Sequence, residues 1–235
     1  MECIAVKIPR LEPPQDDLRV PLRATLPALN EGDIVCMSSK VVALHEGQAL
    51  RLTPDEKQVL VRASADIVIE RPYWGTPLTV VHNAFIGGSG LDESNGNGYV
   101  VLLPKDPFQS ATWWHEWLCA EYNLKDVGVV ITDSRSLPLR YGATGVAIGW
   151  AGFEPLIDHI GEEDIFGREF KYERSNIVDG IAAAATVAMG ETNECQPVVI
   201  VRNVPKMVFT DRDTKADIFC PPEDDTFRVL YEDKF

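Results

Sequence analysis

Hydrophobic residues fall along this chain in two rhythms. Unbroken, mostly β-branched runs stand at Ile34-Val-Cys-Met37, from Val127 to Ile131 and from Val198 to Val201. Runs of this kind predict strands buried on both faces of a sheet. Cys3 to Ile8 alternates instead and predicts a strand that stops at Pro9. Asp66 to Glu70, Leu78 to Phe85, Tyr99 to Leu103 and Thr144 to Ala151 are further strand candidates; the last carries glycines at 145, 149 and 152, which predict a close-packed neighbour. Helical rhythm marks Asp106 to Tyr122, with Trp113, Trp114, Trp117 and Leu118 on one stripe, and the small-residue segment Ile177 to Met189. Gly190 is placed to end that second helix in a left-handed cap. Leu18 to Leu29 reads as partly helical, and Val41 to Leu44 as a strand or a short helix. Thr53-Pro-Asp-Glu56 has a capping threonine, a first-turn proline and first-turn acids, the marks of a helix start.

Composition narrows the function classes. An apolar share of 45% in 235 residues is enough to bury one large core or two small ones. Net charge is −14, from 22 basic and 36 acidic residues, which argues against nucleic acid or an anionic membrane as partner. Met1-Glu-Cys-Ile leads straight into a strand-like segment and no run reaches spanning length, so a cytoplasmic location is expected. The five cysteines are scattered and odd in number, without zinc or redox spacing, and the four histidines are isolated. No phosphate-binding glycine loop of the common nucleotide types follows a strand, and no serine sits on a sharp elbow.

The candidate chemistry lies in Gly90-Leu-Asp-Glu-Ser-Asn95 and Ile131-Thr-Asp-Ser134. A doubly buried strand delivers its last side chain, Asp133, to the sheet's carboxyl edge, where open α/β sheets bind ligands. A carboxylate there is desolvated unless a cation or donor meets it. Asp92 occupies a Gly-Ser-Asn loop able to fold back tightly. With Glu93 and Ser134 beside them, the two carboxylates suit a hard divalent ion. The same residues fit a turn at Asp92 and a helix cap at Asp133 equally well.

Several segments in order, Ile8-Pro-Arg-Leu11, Ser39-Lys40 with Glu46-Gly47, Leu91 to Asn95, Ile131 to Ser134, Gly145-Val-Ala-Ile-Gly149, Asp164-Ile-Phe-Gly167 and Met189-Gly-Glu191 before Pro197-Val-Val-Ile200, together resemble one family over residues 5 to 203. It is the coenzyme F420-0:γ-glutamyl ligase family, which adds glutamate to a deazaflavin coenzyme. The resemblance implies an α/β fold of mixed sheets flanked by helices, in two intertwined subdomains, and a homodimer. It assigns guanine-nucleotide contacts to Ile8, Pro9, Arg10, Leu11, Ser39, Lys40 and Asn95. Metal ligation falls to Asp92, Asp133, Ser134 and Glu191, and further nucleotide contacts to the loop with Gly190, Thr192, Asn193 and Glu194. Implied cofactors are Mg²⁺ or Mn²⁺, as two ions, with GTP or ATP as co-substrate. Lys40 and Arg140 could add positive charge during phosphoryl transfer. Residues 204 to 235 would form an acidic C-terminal extension of unknown role.

The family's second lysine is Leu44 here, its Gly-Arg-Pro is Ser136-Leu137-Pro138, its glutamine is Ala143, and its basic pair before the Phe-Gly step is Glu162 and Glu163. This loss of positive charge points towards an acceptor less anionic than the deazaflavin precursor, such as a folate, with Arg135 and Arg140 left to hold its carboxylate. The resemblance thus implies a nucleotide- and metal-dependent γ-glutamyl ligase working through an acyl phosphate. Competing expectations are a catalytically silent nucleotide or metal binder and a metal-dependent phosphohydrolase.

Overall fold

The computed structural model describes residues 1–221 and 223–232. In chain order the elements are β1 (Glu2–Val6), α1 (Arg19–Thr25), β2 (Ile34–Ser38), α2 (Ser39–His45), β3 (Ala49–Leu50), α3 (Pro54–Ala63), β4 (Ile67–Ile69), β5 (Leu78–Val81), β6 (Ala84–Gly87), β7 (Val100–Val101), α4 (Pro107–Tyr122), β8 (Gly128–Ser136), β9 (Ala143–Ala151), β10 (Leu156–Asp158), β11 (Arg174–Asn176), α5 (Ile177–Met189) and β12 (Val198–Arg202). They build a mixed α/β fold of several sheets flanked by helices. No helix among the described residues is long and apolar enough to cross a membrane.

The main sheet runs β1-β12-β2-β8-β9. Only β2 and β8 pair in parallel; the other neighbours are antiparallel. The unbroken apolar runs divide between its two faces as their residues alternate. Val35, Met37, Val129, Ile131, Val198 and Ile200 pack with Leu22, Val42, Trp114 and Leu118 on one face. Ile34, Cys36, Val130, Val199 and Val201 pack with Val178, Ile181, Ala182 and Ala185 of α5 on the other. The small residues of α5 let it lie almost on β9: a Cβ at Gly145 would stand 2.3 Å from Thr186 Oγ1 and 2.5 Å from the Ala182 carbonyl oxygen.

A smaller region holds the sheet β4-β5-β6, the short pair β3-β7 and α3. Its own core is Val61, Leu91 and Val100. Thr53 closes a full capping box with Glu56 at the start of α3, and Asp106 accepts from the Phe108 and Gln109 N–H groups to start α4. Described residues beyond 203 fold back on the body. Val204, Met207, Phe209, Ile218 and Phe219 pack on the α5 face, and the Trp150 indole donates to Thr214 Oγ1 at 3.0 Å. The acidic C-terminal segment also includes residues 222 and 233–235, which lie outside the described residues.

Several expectations are corrected. Leu78 to Phe85 is two strands, not one, because His82 and Asn83 take φ of 50° and 57° and make a tight hairpin turn. Tyr99 to Leu103 shortens to β7, since only Val100 and Val101 find ladder partners in β3. β8 runs on through Arg135 and Ser136, which pair with Thr144 and Ala143. Of the two readings of Val41 to Leu44, the short helix holds, since the segment lies within α2. Gly190 has φ 78° but ψ 170°, an extended conformation open essentially to glycine alone, rather than a left-handed cap. Along the tryptophan stripe, Trp113 is exposed. Trp114 is buried, and the Arg19 and Arg23 guanidiniums lie over Trp113 and Trp117 at 5.9 and 5.6 Å.

Candidate active site

A cavity of about 600 Å³ opens at the carboxyl end of the parallel β2–β8 pair. The strand-to-helix step from β2 into α2 supplies Ser39 and Lys40, and the end of β8 supplies Asp133 and Ser134. The loop that crosses back to β7 supplies Asp92, Ser94 and Asn95, and the loop between α5 and β12 supplies Gly190 to Pro197. Ile8 to Leu11, after β1, close the remaining side. The site residues inferred from the sequence line this one cavity except Glu93, which pairs with Lys57, and Arg135 and Arg140. Arg140 is exposed in the turn after β8, where its backbone N–H donates to the Leu137 carbonyl. Of the changed positions used to argue for a folate, only Leu44 lines the cavity; Leu137, Ala143, Glu162 and Glu163 do not.

The polar side chains are held in pairs. Ser39 Oγ donates to Asp133 Oδ1 at 3.0 Å. Ser134 Oγ donates to the Glu191 carboxylate at 3.0 Å, so β8 and the α5–β12 loop meet through two residues inferred as metal ligands. Lys40 Nζ donates to Asp92 Oδ2 at 2.6 Å and to Ser94 O and Oγ at 2.7 and 2.9 Å. Asn95 Nδ2 donates to the Thr192 carbonyl at 2.8 Å and ties the two loops across the cavity. Glu194 folds back on Thr192, accepting from its backbone N–H at 2.9 Å and its hydroxyl at 3.0 Å. Arg10 pairs with Glu12 at 2.6 Å. Ser94 is the residue the sequence reading passed over. Its signal was the Asp-x-Ser spacing, which lets Asp92 Oδ1 accept the Ser94 N–H at 2.7 Å in a local turn.

The two central carboxylates differ. Burial pushes the Asp133 carboxyl up to about 6; the Asp92 charge adds to this, while the Ser39 hydroxyl, the Ser134 N–H and Lys40 oppose it. Burial also acts upwards on Asp92, but the Lys40 ammonium and the two Ser94 donors outweigh it and hold that carboxyl below its ordinary value. Among the described residues no three His, Cys, Asp or Glu side chains are gathered as a metal cluster. The donor set nonetheless fits a hard divalent ion. Asp92, Asp133, Ser134 and Glu191 offer oxygen only and line the same cavity, and a carboxyl raised by burial and a like charge is one that a cation would relieve.

Residues 5–203 match the family model described as F420-0:Gamma-glutamyl ligase. The chain is similar to Coenzyme F420:L-glutamate ligase of Methanococcus maripaludis strain C7, 35% identical, with 97% of each chain covered. The namesake protein of Halobacterium salinarum is 33% identical, covering 91% of this chain and 90% of the relative. That of Methanocaldococcus jannaschii is 38% identical over 74% of this chain and 66% of its own. By the span of the family model and by these near full-length relatives, the chain belongs to the F420-0:γ-glutamyl ligase family.

Proposed function

We propose that the protein is a nucleotide- and divalent-metal-dependent γ-glutamyl ligase that joins L-glutamate to an acceptor carboxylate through an acyl phosphate. The observation that carries this reading is that Asp92, Asp133 and Glu191, from three separate segments, line one cavity with Lys40. The γ-phosphoryl group moves from the nucleoside triphosphate to an acceptor carboxylate oxygen, leaving the diphosphate. The glutamate amine then attacks the acyl carbon; phosphate departs, the nitrogen loses a proton and the amide remains. Such chemistry asks the protein for position and charge rather than covalent help. The cavity is lined by the acidic residues Asp92, Asp133, Glu191 and Glu194 against the basic residues Arg10 and Lys40, four against two. That balance would repel a polyanionic nucleotide unless further positive charge is brought in. Mg²⁺ or Mn²⁺ held by Asp92, Asp133, Ser134 and Glu191 would supply it and polarise phosphate oxygens. Ile8 and Leu11 are buried apolar side chains at the cavity edge, a surface suited to a nucleotide base.

The acceptor best supported is a deazaflavin coenzyme precursor, as in the names of the relatives that align along nearly the whole chain. A folate-type acceptor is the second reading, favoured by Leu44 in the cavity wall. The protein acts as a cytoplasmic homodimer, a reading motivated by the apolar side chains of Leu139, Tyr141, Ile165, Phe166 and Tyr172 that stand in solvent. Sedimentation should then give twice the 26.1 kDa chain mass, and a monomer at micromolar concentration would contradict it. The activity test combines GTP or ATP, Mg²⁺ or Mn²⁺, L-glutamate and each acceptor, with mass spectrometry for an added glutamyl unit. The deazaflavin precursor should be extended faster; faster extension of folate would transfer the assignment to the second reading. Nucleotide binding with no extension of either acceptor would mark a silent binder, and phosphate release without glutamate a phosphohydrolase.

A further inference from the structure

We infer that Lys40 is a built-in competitor for the cation at Asp92, and that its release from Asp92 couples metal binding to phosphate binding. The inference rests on the ligase reading above. All three ammonium hydrogens of Lys40 are engaged, by Asp92 Oδ2, Ser94 O and Ser94 Oγ. Asp92 Oδ2 also accepts from Ser94 Oγ at 2.7 Å, and Oδ1 accepts the Ser94 N–H at 2.7 Å. Three of the carboxylate's roughly four acceptor sites are therefore taken by one ammonium and one serine, including both on Oδ2. A divalent cation would need that carboxylate at roughly 2.0–2.6 Å. An ammonium at 2.6 Å on the same oxygen puts two positive charges on one anion at close range. Their mutual repulsion makes the two contacts alternatives.

Lys40 lines the cavity and is carried on a flexible four-carbon stem. Displaced from Asp92, its ammonium needs new acceptors. The lining carboxylates Asp133, Glu191 and Glu194 already accept from Ser39, Ser134 and Thr192. Anionic phosphate oxygens in the cavity are the acceptors that match it best. A cation on Asp92 would thus free Lys40 for phosphate, and phosphate on Lys40 would free Asp92 for a cation. Linkage requires the two effects to be equal in size. Arg10, the other lining cation, is committed to Glu12 and cannot serve in the same way without losing that pair.

The test is calorimetric Mn²⁺ binding to the full chain, with and without a non-hydrolysable GTP or ATP analogue. Wild type is compared with Lys40→Met, Lys40→Gln and Lys40→Arg, each checked for an unchanged circular dichroism spectrum. Without nucleotide, both neutral variants should bind Mn²⁺ at least about 5-fold more tightly than wild type, the lower end of usual coupling. Lys40→Arg, which keeps the charge, should stay near wild type. The tightening of Mn²⁺ binding by the analogue should shrink in the neutral variants. Equal or weaker Mn²⁺ affinity in Lys40→Met and Lys40→Gln would overturn the competitor role while leaving the metal reading intact. Failure of every form, wild type included, to bind Mn²⁺ would overturn the metal reading and this inference together.

Discussion

Asp133 and Asp92 face the same cavity from opposite kinds of support. Asp133 follows Val129, Val130 and Ile131, all buried, on a strand packed on both faces. Asp92 is carried by a loop whose backbone pairs with Val101 through an isolated bridge, over a core of three buried side chains. The first carboxyl is pushed up to about 6 by burial, while the second is held low by Lys40 and Ser94. The rigid wall thus presents an anion short of positive charge. The loop wall presents one already supplied with it, through contacts that can be exchanged. Stability and catalytic demand should separate along the same line, and substitutions on each wall can break that contrast.

The largest effect is expected at the rigid wall. Asp133→Asn removes a hard oxygen anion, so Mn²⁺ affinity should fall at least ~100-fold, more than loss of an outer-shell partner usually costs. Folding should not suffer. At pH 7 the ionised Asp133 is disfavoured in the fold relative to the unfolded chain, because its folded carboxyl is raised to about 6. Removing the charge should raise the melting temperature of protein treated with chelator, by an amount equivalent to about 1 kcal/mol once screening by cavity water is allowed for. A lower melting temperature with unchanged metal affinity would make Asp133 an ordinary structural residue.

Next come two glycines, one under each kind of element. Gly145→Ala would drive a methyl to 2.3 Å from Thr186 Oγ1 and towards the α5 backbone, costing about 1–3 kcal/mol of global stability by overpacking. Gly190→Ala meets both a forbidden backbone region and Glu194 Cδ at 2.4 Å, so about 1–3 kcal/mol of local strain is expected. Its effect should fall on the 190–196 loop, weakening nucleotide binding more than it lowers the melting temperature. Equal thermal losses in the two variants, with nucleotide affinity untouched in both, would remove the distinction between frame and loop. The smallest effect is expected at Arg140. It lies outside the cavity, and Arg140→Ala should change the KM of acceptor and nucleotide by less than about 2-fold, the ordinary range for an exposed side chain. A selective rise in acceptor KM would restore it to the site.

The same contrast explains what the sequence made readable. β2, β8, β12, α4 and α5 were legible because packing on a sheet face or helix stripe leaves a periodic trace and because Thr53, Asp106 and Gly190 punctuate the helix ends. The position of Asp133 followed from the strand beneath it. Pairings across the fold leave no such trace: Ser39 with Asp133, 94 positions apart, and Lys40 with Asp92, 52 apart, required coordinates. The β5–β6 turn was missed because His82-Asn83 lacks the glycine that usually marks such hairpins. The β10–β11 hairpin was missed because three-residue strands around a long excursion have too few positions to show a period. Most of the candidate site residues line one cavity, whereas Arg140 does not, since it lies in the turn past the end of β8 at Ser136.

The most direct test is the coupling between phosphate release and product in one vessel. Purified protein with Mn²⁺, nucleoside triphosphate, L-glutamate and the deazaflavin precursor should release one phosphate for each glutamyl unit added. Chelator, omission of glutamate, or Asp133→Asn should each suppress both signals together. Glutamylated product that forms equally well in excess chelator, or without nucleotide, would contradict the metal- and nucleotide-dependent ligase assigned to this cavity.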